Sequence, residues 1–340
     1  MPSSRAQAID FHAHTVPAAY VDLVRRGEVP DVRLERQGGQ EILLIGADAP
    51  TGPVGQPMPV LREYLDADAR LAAMNAVGVD IHVLSPVQFL YHYWLPTDLA
   101  VHLTRVVNDG VAEMVRAHPR RFAGMATLPL QDPDAAVREL ERVHEFGFGA
   151  VEIGTHIAGR TLDTPGLDAV WARAEALGTV VFVHPYAPRI REWLGRYYLR
   201  NLLGNPFETA MAASHLVFGG VLERFPKLRI CLAHGGGAFP AVIGRLGRGW
   251  EITPECRANG AVRPGDYLAR FWYDTITQDV GILETLVGRV GAERVLLGSD
   301  YPFDIGDLDP VATVEALRVD RDAKRAILGG NAAALLRLPA

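Results

Sequence analysis

Lysine is almost missing from this 340-residue chain, occurring only at Lys227 and Lys324, so nearly all of the 34 basic groups are arginine. Cysteine is equally scarce. Cys231 and Cys256 are too few for a disulfide framework and lack the paired spacing of a zinc knuckle. No run reaches the roughly 20 apolar residues that a membrane span requires. A surplus of positive charge is also missing: the net charge is −6, which does not draw in nucleic acid or an anionic membrane. The expected partner is a small molecule. The opening residues Met-Pro-Ser-Ser-Arg-Ala-Gln-Ala contain no apolar signal segment, and with two unpaired cysteines a reducing, cytoplasmic location is expected. There is no internal repeat and no low-complexity tract.

What the chain does have is apolar content, 49% of residues, enough to bury a large core. Apolar, β-branched runs of strand length alternate with segments of helical period. Strands are expected over residues 8–14, 81–86, 122–129, 149–154, 179–184, 228–234, 270–275 and 294–299. Helices are expected over 65–77, 98–117, 132–146, 165–177, 206–223, 238–249 and 279–289. Near-continuous runs such as Val180 to Val183 and Val295 to Leu297 suit a parallel sheet covered by helices on its faces. Eight such units predict an α/β fold, a (β/α)8 TIM barrel, as a single domain over 1–340. Residues 31–62 interrupt the alternation. Two short runs around Gly38-Gly39 predict a β-hairpin inserted after the first strand, followed by a loop over Pro50 to Pro59, placed to wall or cap a pocket. A second irregular stretch, 186–206, mixes Arg189, Arg191, Trp193, Arg196, Tyr197 and Tyr198. It suits either an anionic planar substrate or a solvated connection or subunit contact.

The chemistry concentrates at the predicted strand ends. Asp10-Phe11-His12-Ala13-His14 puts two imidazoles on one face of an extended strand, because alternate side chains share a face. His184, His234 and Asp300 end three later strands, and active sites of such barrels lie at that rim. Imidazoles plus a carboxylate suit Zn²⁺, with Mn²⁺ or Co²⁺ also accepted, so His12, His14, His184 and Asp300 form a candidate ligand set. Any one of these histidines alone reads as a hydrogen-bonded core residue; the conjunction carries the metal reading. His234 is followed by Gly235-Gly236-Gly237 and a helix from about Ala238, a backbone suited to close approach of a carboxylate. Beside a metal-bound water His234 is a natural general base, with a fifth ligand as the other reading. His82, His92, His102, His118, His144, His156 and His215 are read as structural. The fourth strand, Ala150 to Gly154, contains no lysine to be carboxylated as a bridge between two metals, so one metal is expected. Glu152 is not assigned a role.

Asp10-Phe11-His12-Ala13-His14, His184-Pro185, His234-Gly235-Gly236-Gly237 and Gly298-Ser299-Asp300-Tyr301-Pro302-Phe303 resemble the amidohydrolase-superfamily group typified by α-amino-β-carboxymuconate-ε-semialdehyde decarboxylase. Leu128 to Asp132, Val151 to His156 and Glu223 to Lys227 extend the likeness over nearly the whole chain. The resemblance implies one Zn²⁺ on His12, His14, His184 and Asp300, with His234 handling the proton on the metal-bound water. It implies a nonoxidative decarboxylase of an unsaturated or aromatic acid, and a homodimer. Of two arginines that bind substrate carboxylates in the family, one matches Arg245, contributed by the neighbouring subunit, and the other falls at Met58, with Arg62 nearby. The same groups could serve a metal-dependent hydrolase of a lactone or cyclic amide, or a hydratase of a muconate-like acid. Retention of every proposed ligand and of the base argues against a purely scaffolding barrel.

Overall fold

A computed structural model describes residues 6–45, 57–187 and 193–338. Its eleven strands are β1 (Ile9–Thr15), β2 (Val32–Gln37), β3 (Gln40–Ile45), β4 (Pro57–Pro59), β5 (Ile81–Pro86), β6 (Phe122–Thr127), β7 (Ala150–Gly154), β8 (Val180–His184), β9 (Arg229–Leu232), β10 (Trp272–Asp274) and β11 (Val295–Leu296). Eight of them pair in the order β1-β5-β6-β7-β8-β9-β10-β11. All seven pairings in that order are parallel. Backbone hydrogen bonds then tie the chain after β11 to β1: Phe11 N–H donates to the Leu297 carbonyl (2.8 Å), His14 N–H to the Tyr301 carbonyl (2.7 Å) and Asp300 N–H to the His12 carbonyl (2.8 Å). The sheet thus curls into the expected TIM barrel. Every predicted strand is present.

The strands alternate faces as the two-residue period requires. In β8, Val181 and Val183 join the large cluster beneath the helices, whereas Val180 and Phe182 join Cys231, Met125 and Ala150 inside the barrel. His184 continues the inner series at the mouth. Helix starts follow ordinary capping chemistry. Asp132 accepts from Ala135 N–H (2.9 Å) ahead of the helix Pro133–Glu145, and Asp279 accepts from Ile282 N–H (2.9 Å) ahead of Val280–Val290. No helix among the described residues is long and apolar enough to cross a membrane.

The insertion after β1 contains the predicted hairpin, with β2 and β3 antiparallel from Val32–Ile45 to Gln37–Gln40. It also contains more. Part of the expected Pro50–Pro59 loop forms the edge strand β4, pairing Met58 with Leu43, so this is a three-stranded sheet. Proline lacks the N–H that a central strand must donate, which confines Pro57 and Pro59 to an edge. The rest of that loop, 50–56, lies outside the described residues, as do Arg189 and Arg191.

Candidate metal centre

The five singled-out residues meet at the C-terminal mouth of the barrel. His12 and His14 stand on β1, His184 ends β8, His234 follows β9 and Asp300 follows β11. Donor atoms of His12, His184, His234 and Asp300 all lie within 4.8 Å of one another. His14 adjoins this quartet, its Nε2 at 3.0 Å from His12 Nε2 and 3.0 Å from Asp300 Oδ1. This quartet and the expected ligand set share His12, His184 and Asp300. They differ in taking His234 or His14 as the fourth member.

The hydrogen bonds of the ring nitrogens separate those two. His12 Nδ1 lies 2.7 Å from Asp274 Oδ2, His14 Nδ1 lies 3.2 Å from Ser85 Oγ, and His184 Nδ1 lies 2.9 Å from the Pro185 carbonyl. The Asp274 carboxylate and the Pro185 carbonyl can only accept, so they fix the proton on Nδ1 of His12 and His184 and leave a lone pair on Nε2 facing the centre; the Ser85 hydroxyl, donating to the Ala13 carbonyl (3.4 Å), is free to do the same for His14. His184 Nε2 is buried with no hydrogen-bond partner. Lone pairs of His12 and His14 facing each other at 3.0 Å repel unless a cation or proton lies among them. The donor set therefore fits a divalent ion. His234 differs: its Nδ1 has no partner, and its Nε2 faces Asp300 Oδ2 at 3.4 Å.

Buried charge shapes the cluster. Asp300 is held well below the usual carboxylate range: burial opposes its ionisation, but the His12 charge and hydrogen bonds from His12, His14 and His234 prevail. His184 is pushed well down, by burial first and then by the neighbouring imidazoles, so it stays neutral. His234 (φ 57°) and Asp300 (φ 63°) both occupy the left-handed region, which disfavours residues with a Cβ. These are two of ten such residues among the described ones, and both aim a side chain into the cluster.

The triglycine does not present free N–H groups to a ligand, contrary to the sequence expectation. His234 and Gly235 N–H donate to Asp274 (2.9 and 2.8 Å), Gly236 N–H to the Ala233 carbonyl and Gly237 N–H to the His234 carbonyl. A carboxylate does sit on this loop, and it is that of Asp274. Sequence reasoning passed over Asp274; its position at the end of a predicted strand was the one available signal. A further buried chain also went unread. Arg70 donates to the His14 carbonyl and to His82 Nδ1 (3.2 Å), leaving His82 Nε2 to face Asp10 at 3.4 Å, while Asp10 also accepts from His12 N–H (3.0 Å) and from the Ser299 hydroxyl. Burial raises the Asp10 carboxyl to about 7 against these hydrogen bonds.

Other candidates fall outside the cluster. Arg245 is exposed on the helix Phe239–Ile252, whose buried residues are Phe239, Ile243 and Gly247. Arg62 pairs at the surface with Asp66 (2.5 Å). Trp193 and Tyr197 are 78% and 73% exposed, so neither is packed into the interior, whereas Tyr198 lines a cavity. Glu152 is buried inside the barrel, accepting from the Tyr91 hydroxyl, with Oε2 at 3.9 Å from His14 Nδ1.

Two cavities flank the cluster. One, of about 500 Å³, is lined by His234, Asp300, Gly235 and Gly237. The other, of about 490 Å³, begins at Pro185 and Phe303, and the Phe303 ring meets His14 edge-on at 5.3 Å. Asn201 and Asn205 line both.

Comparison with known proteins agrees with this architecture. A family model described as amidohydrolase matches residues 9–338. The 2-amino-3-carboxymuconate-6-semialdehyde decarboxylase of Dictyostelium discoideum is 37% identical over 276 residues, spanning 80% of this chain and 77% of that protein. The crystal structure of 5-carboxyvanillate decarboxylase from Sphingomonas paucimobilis superposes with a TM-score of 0.83 at 26% identity, covering 98% of this chain and 100% of that one. The apo IDCase of Metarhizium anisopliae shares the fold, with a TM-score of 0.87 at 23% identity over 99% of each chain. This chain belongs to the amidohydrolase family, in the group that includes the 2-amino-3-carboxymuconate-6-semialdehyde decarboxylases.

Proposed function

We propose that the protein is a metal-dependent, nonoxidative decarboxylase, a carboxy-lyase that releases CO₂ from a small unsaturated or aromatic carboxylic acid. The observation that carries the reading is the convergence of three Nδ1-anchored imidazoles and one ionised carboxylate at the barrel mouth, in a chain whose relatives are named as decarboxylases. His12, His14, His184 and Asp300 would hold the ion, with Zn²⁺ the reading the donor set favours and Mn²⁺ or Co²⁺ compatible. When bound, that ion would supply Lewis acidity toward the substrate's oxygen atoms.

The remaining chemistry falls to the side chains. Loss of CO₂ leaves an electron pair on carbon, so the carbon bearing the carboxylate must gain a proton. His234, which lacks the Nδ1 anchor of the other three, delivers that proton from Nε2, which faces Asp300 Oδ2 at 3.4 Å. The bond to the carboxylate then breaks, its electrons return to the π system, and a C–H bond stands where the carboxylate was. Asp274 keeps His12 in one tautomer and ties down the His234 backbone.

We read residues 1–340 as one catalytic unit, with insertion 31–62 walling the pocket. A cytoplasmic homodimer belongs to the same proposal. The exposed position of Arg245 suits a role in a neighbouring subunit's site. The test is CO₂ release from carboxyl-labelled hydroxybenzoates and carboxymuconates, comparing protein stripped by chelator with protein reloaded with Zn²⁺, Mn²⁺ or Co²⁺. Metal-dependent release supports the reading; equal release from stripped and reloaded protein contradicts it.

A further inference from the structure

Arg70, on the helix Ala67–Ala76, is fully buried and carries its guanidinium to the seam where the chain after β11 meets β1. Both terminal nitrogens are engaged there. Nη2 donates to the His14 carbonyl and to the Glu63 carbonyl (3.0 Å), and Nη1 donates to His82 Nδ1 (3.2 Å). The guanidinium carbon also stands 5.0 Å from the centroid of the Tyr301 ring, a cation–π contact. Tyr301 directly follows Asp300, and its carbonyl accepts from His14 N–H (2.7 Å). One side chain thus holds the backbone of His14 and the residue next to Asp300. Burial lowers the Arg70 pKa from 12.5 to about 10, with Tyr301 and Asp10 opposing the fall, so the group is cationic at neutral pH. Its hydrogen-bond partners among the described residues are two carbonyls and an imidazole, none of them a carboxylate. A buried cation so placed costs stability that an apolar side chain of similar length would not. Orientation is what the guanidinium adds.

We propose that Arg70 is a positioning residue of the metal centre: by gripping the His14 carbonyl and the Tyr301 ring together, it sets the spacing between His14 and Asp300. This rests on the ligand set proposed above. A second arm of the same grip runs through His82, which burial and the charges of Arg70 and Arg121 keep neutral. Because Arg70 occupies Nδ1, the His82 proton sits on Nε2, which faces Asp10 at 3.4 Å. Asp10 in turn accepts from His12 N–H (3.0 Å) and Ser299 N–H (3.1 Å), on the two strand ends that carry His12 and Asp300. A planar guanidinium serves these acceptors in fixed directions, which an ammonium on a flexible stem does not.

The experiment compares Arg70→Lys, which keeps the charge and loses the fork, with Arg70→Met, which fills the space with neither. Leu140→Ala, a buried change on the helix Pro133–Glu145, is the control for lost stability alone. Amide exchange is followed in the metal-free full-length proteins, and Co²⁺ affinity and visible absorption in the loaded ones. Exchange at the His14 and Asp300 amides is expected to quicken in both Arg70 variants and to stay as it was in Leu140→Ala. Co²⁺ affinity is expected to fall by about 10- to 100-fold in Arg70→Met and by less in Arg70→Lys, with a shifted absorption band in each. A folded Arg70→Lys protein with unaltered exchange and an unaltered Co²⁺ spectrum overturns the assignment, whatever becomes of Arg70→Met. Equal changes in Leu140→Ala overturn it as well. Failure of the unaltered protein to take up Co²⁺ overturns the metal-centre reading instead, because the exchange measurement is made without metal.

Discussion

His12 Nδ1 and Asp274 Oδ2 lie 2.7 Å apart, and both side chains are fully buried. The carboxylate also accepts from the backbone N–H groups of His234, Gly235 and Ile276, so one side chain couples a proposed ligand to the loop that bears the proposed acid. Asp274→Asn keeps the shape but weakens the hold on the imidazole N–H and sets an amide against backbone donors. Metal affinity should fall by about 10- to 100-fold, read by competition with a chelator. Affinity unchanged in a folded Asp274→Asn protein would show that this bond does not orient the ligand.

His14 and His234 compete for the fourth ligand position, and their substitutions should behave differently. His234→Ala is expected to retain stoichiometric metal and lose about 100-fold or more in turnover, the range ascribed to a positioned acid or base. His14→Ala and Asp300→Ala are expected to lose much of both. Metal analysis of the purified variants decides the matter. A His234→Ala protein with an emptied site, whose activity returns on adding metal, would reverse the roles.

The pH dependence of metal binding follows from His12. Without a cation, burial works against its charge, but Asp300 and Asp274 outweigh that and raise its pKa from 6.5 to about 10. A raised folded-state value means that proton binding stabilises the metal-free fold. That contribution is complete below about pH 6.5 and is lost as pH rises through about 10. A metal ion must displace the same proton, so its affinity should climb over this window. The difference in Tm between metal-loaded and metal-free protein should therefore widen from pH 6.5 upward. A constant difference would contradict a proton held at His12.

Gly237 holds the turn after His234 at φ +57°, and a Cβ there would stand 2.3 Å from the Pro206 carbonyl oxygen. Backbone rather than a flexible side chain blocks it. Gly237→Ala should cost on the order of 1–3 kcal/mol in stability and shift the start of the helix Asn205–Phe218, whose Asn205 lines both cavities. Denaturant unfolding and turnover measured together check this; wild-type stability would show that the loop relaxes freely.

The barrel was legible in sequence because strands such as Val180–His184 are largely apolar runs buried on both faces, a local signal. His12 and His14 were legible by the two-residue period, and His184, His234 and Asp300 by their place at strand ends. Asp274 was not, since its meaning lies in a partner 262 positions away. The Arg70–His82–Asp10 chain has the same character, assembled from the helix Ala67–Ala76 and two strands. Pro57 and Pro59 concealed β4, because proline marks a loop until the strand is known to be an edge. The triglycine invited a ligand in sequence, whereas in the fold two N–H groups of its loop are taken by Asp274.

The most direct test of the account is the fate of the carboxyl carbon and of solvent atoms in one reaction. Metal-loaded protein is incubated with carboxyl-¹³C acids in ¹⁸O-enriched deuterated water, and gas and organic product are analysed together. Labelled CO₂, one solvent deuteron at the carbon it left and no solvent ¹⁸O in the organic product are predicted. Solvent ¹⁸O in a product that keeps its ¹³C would contradict the account and show a hydrolytic or hydrating enzyme.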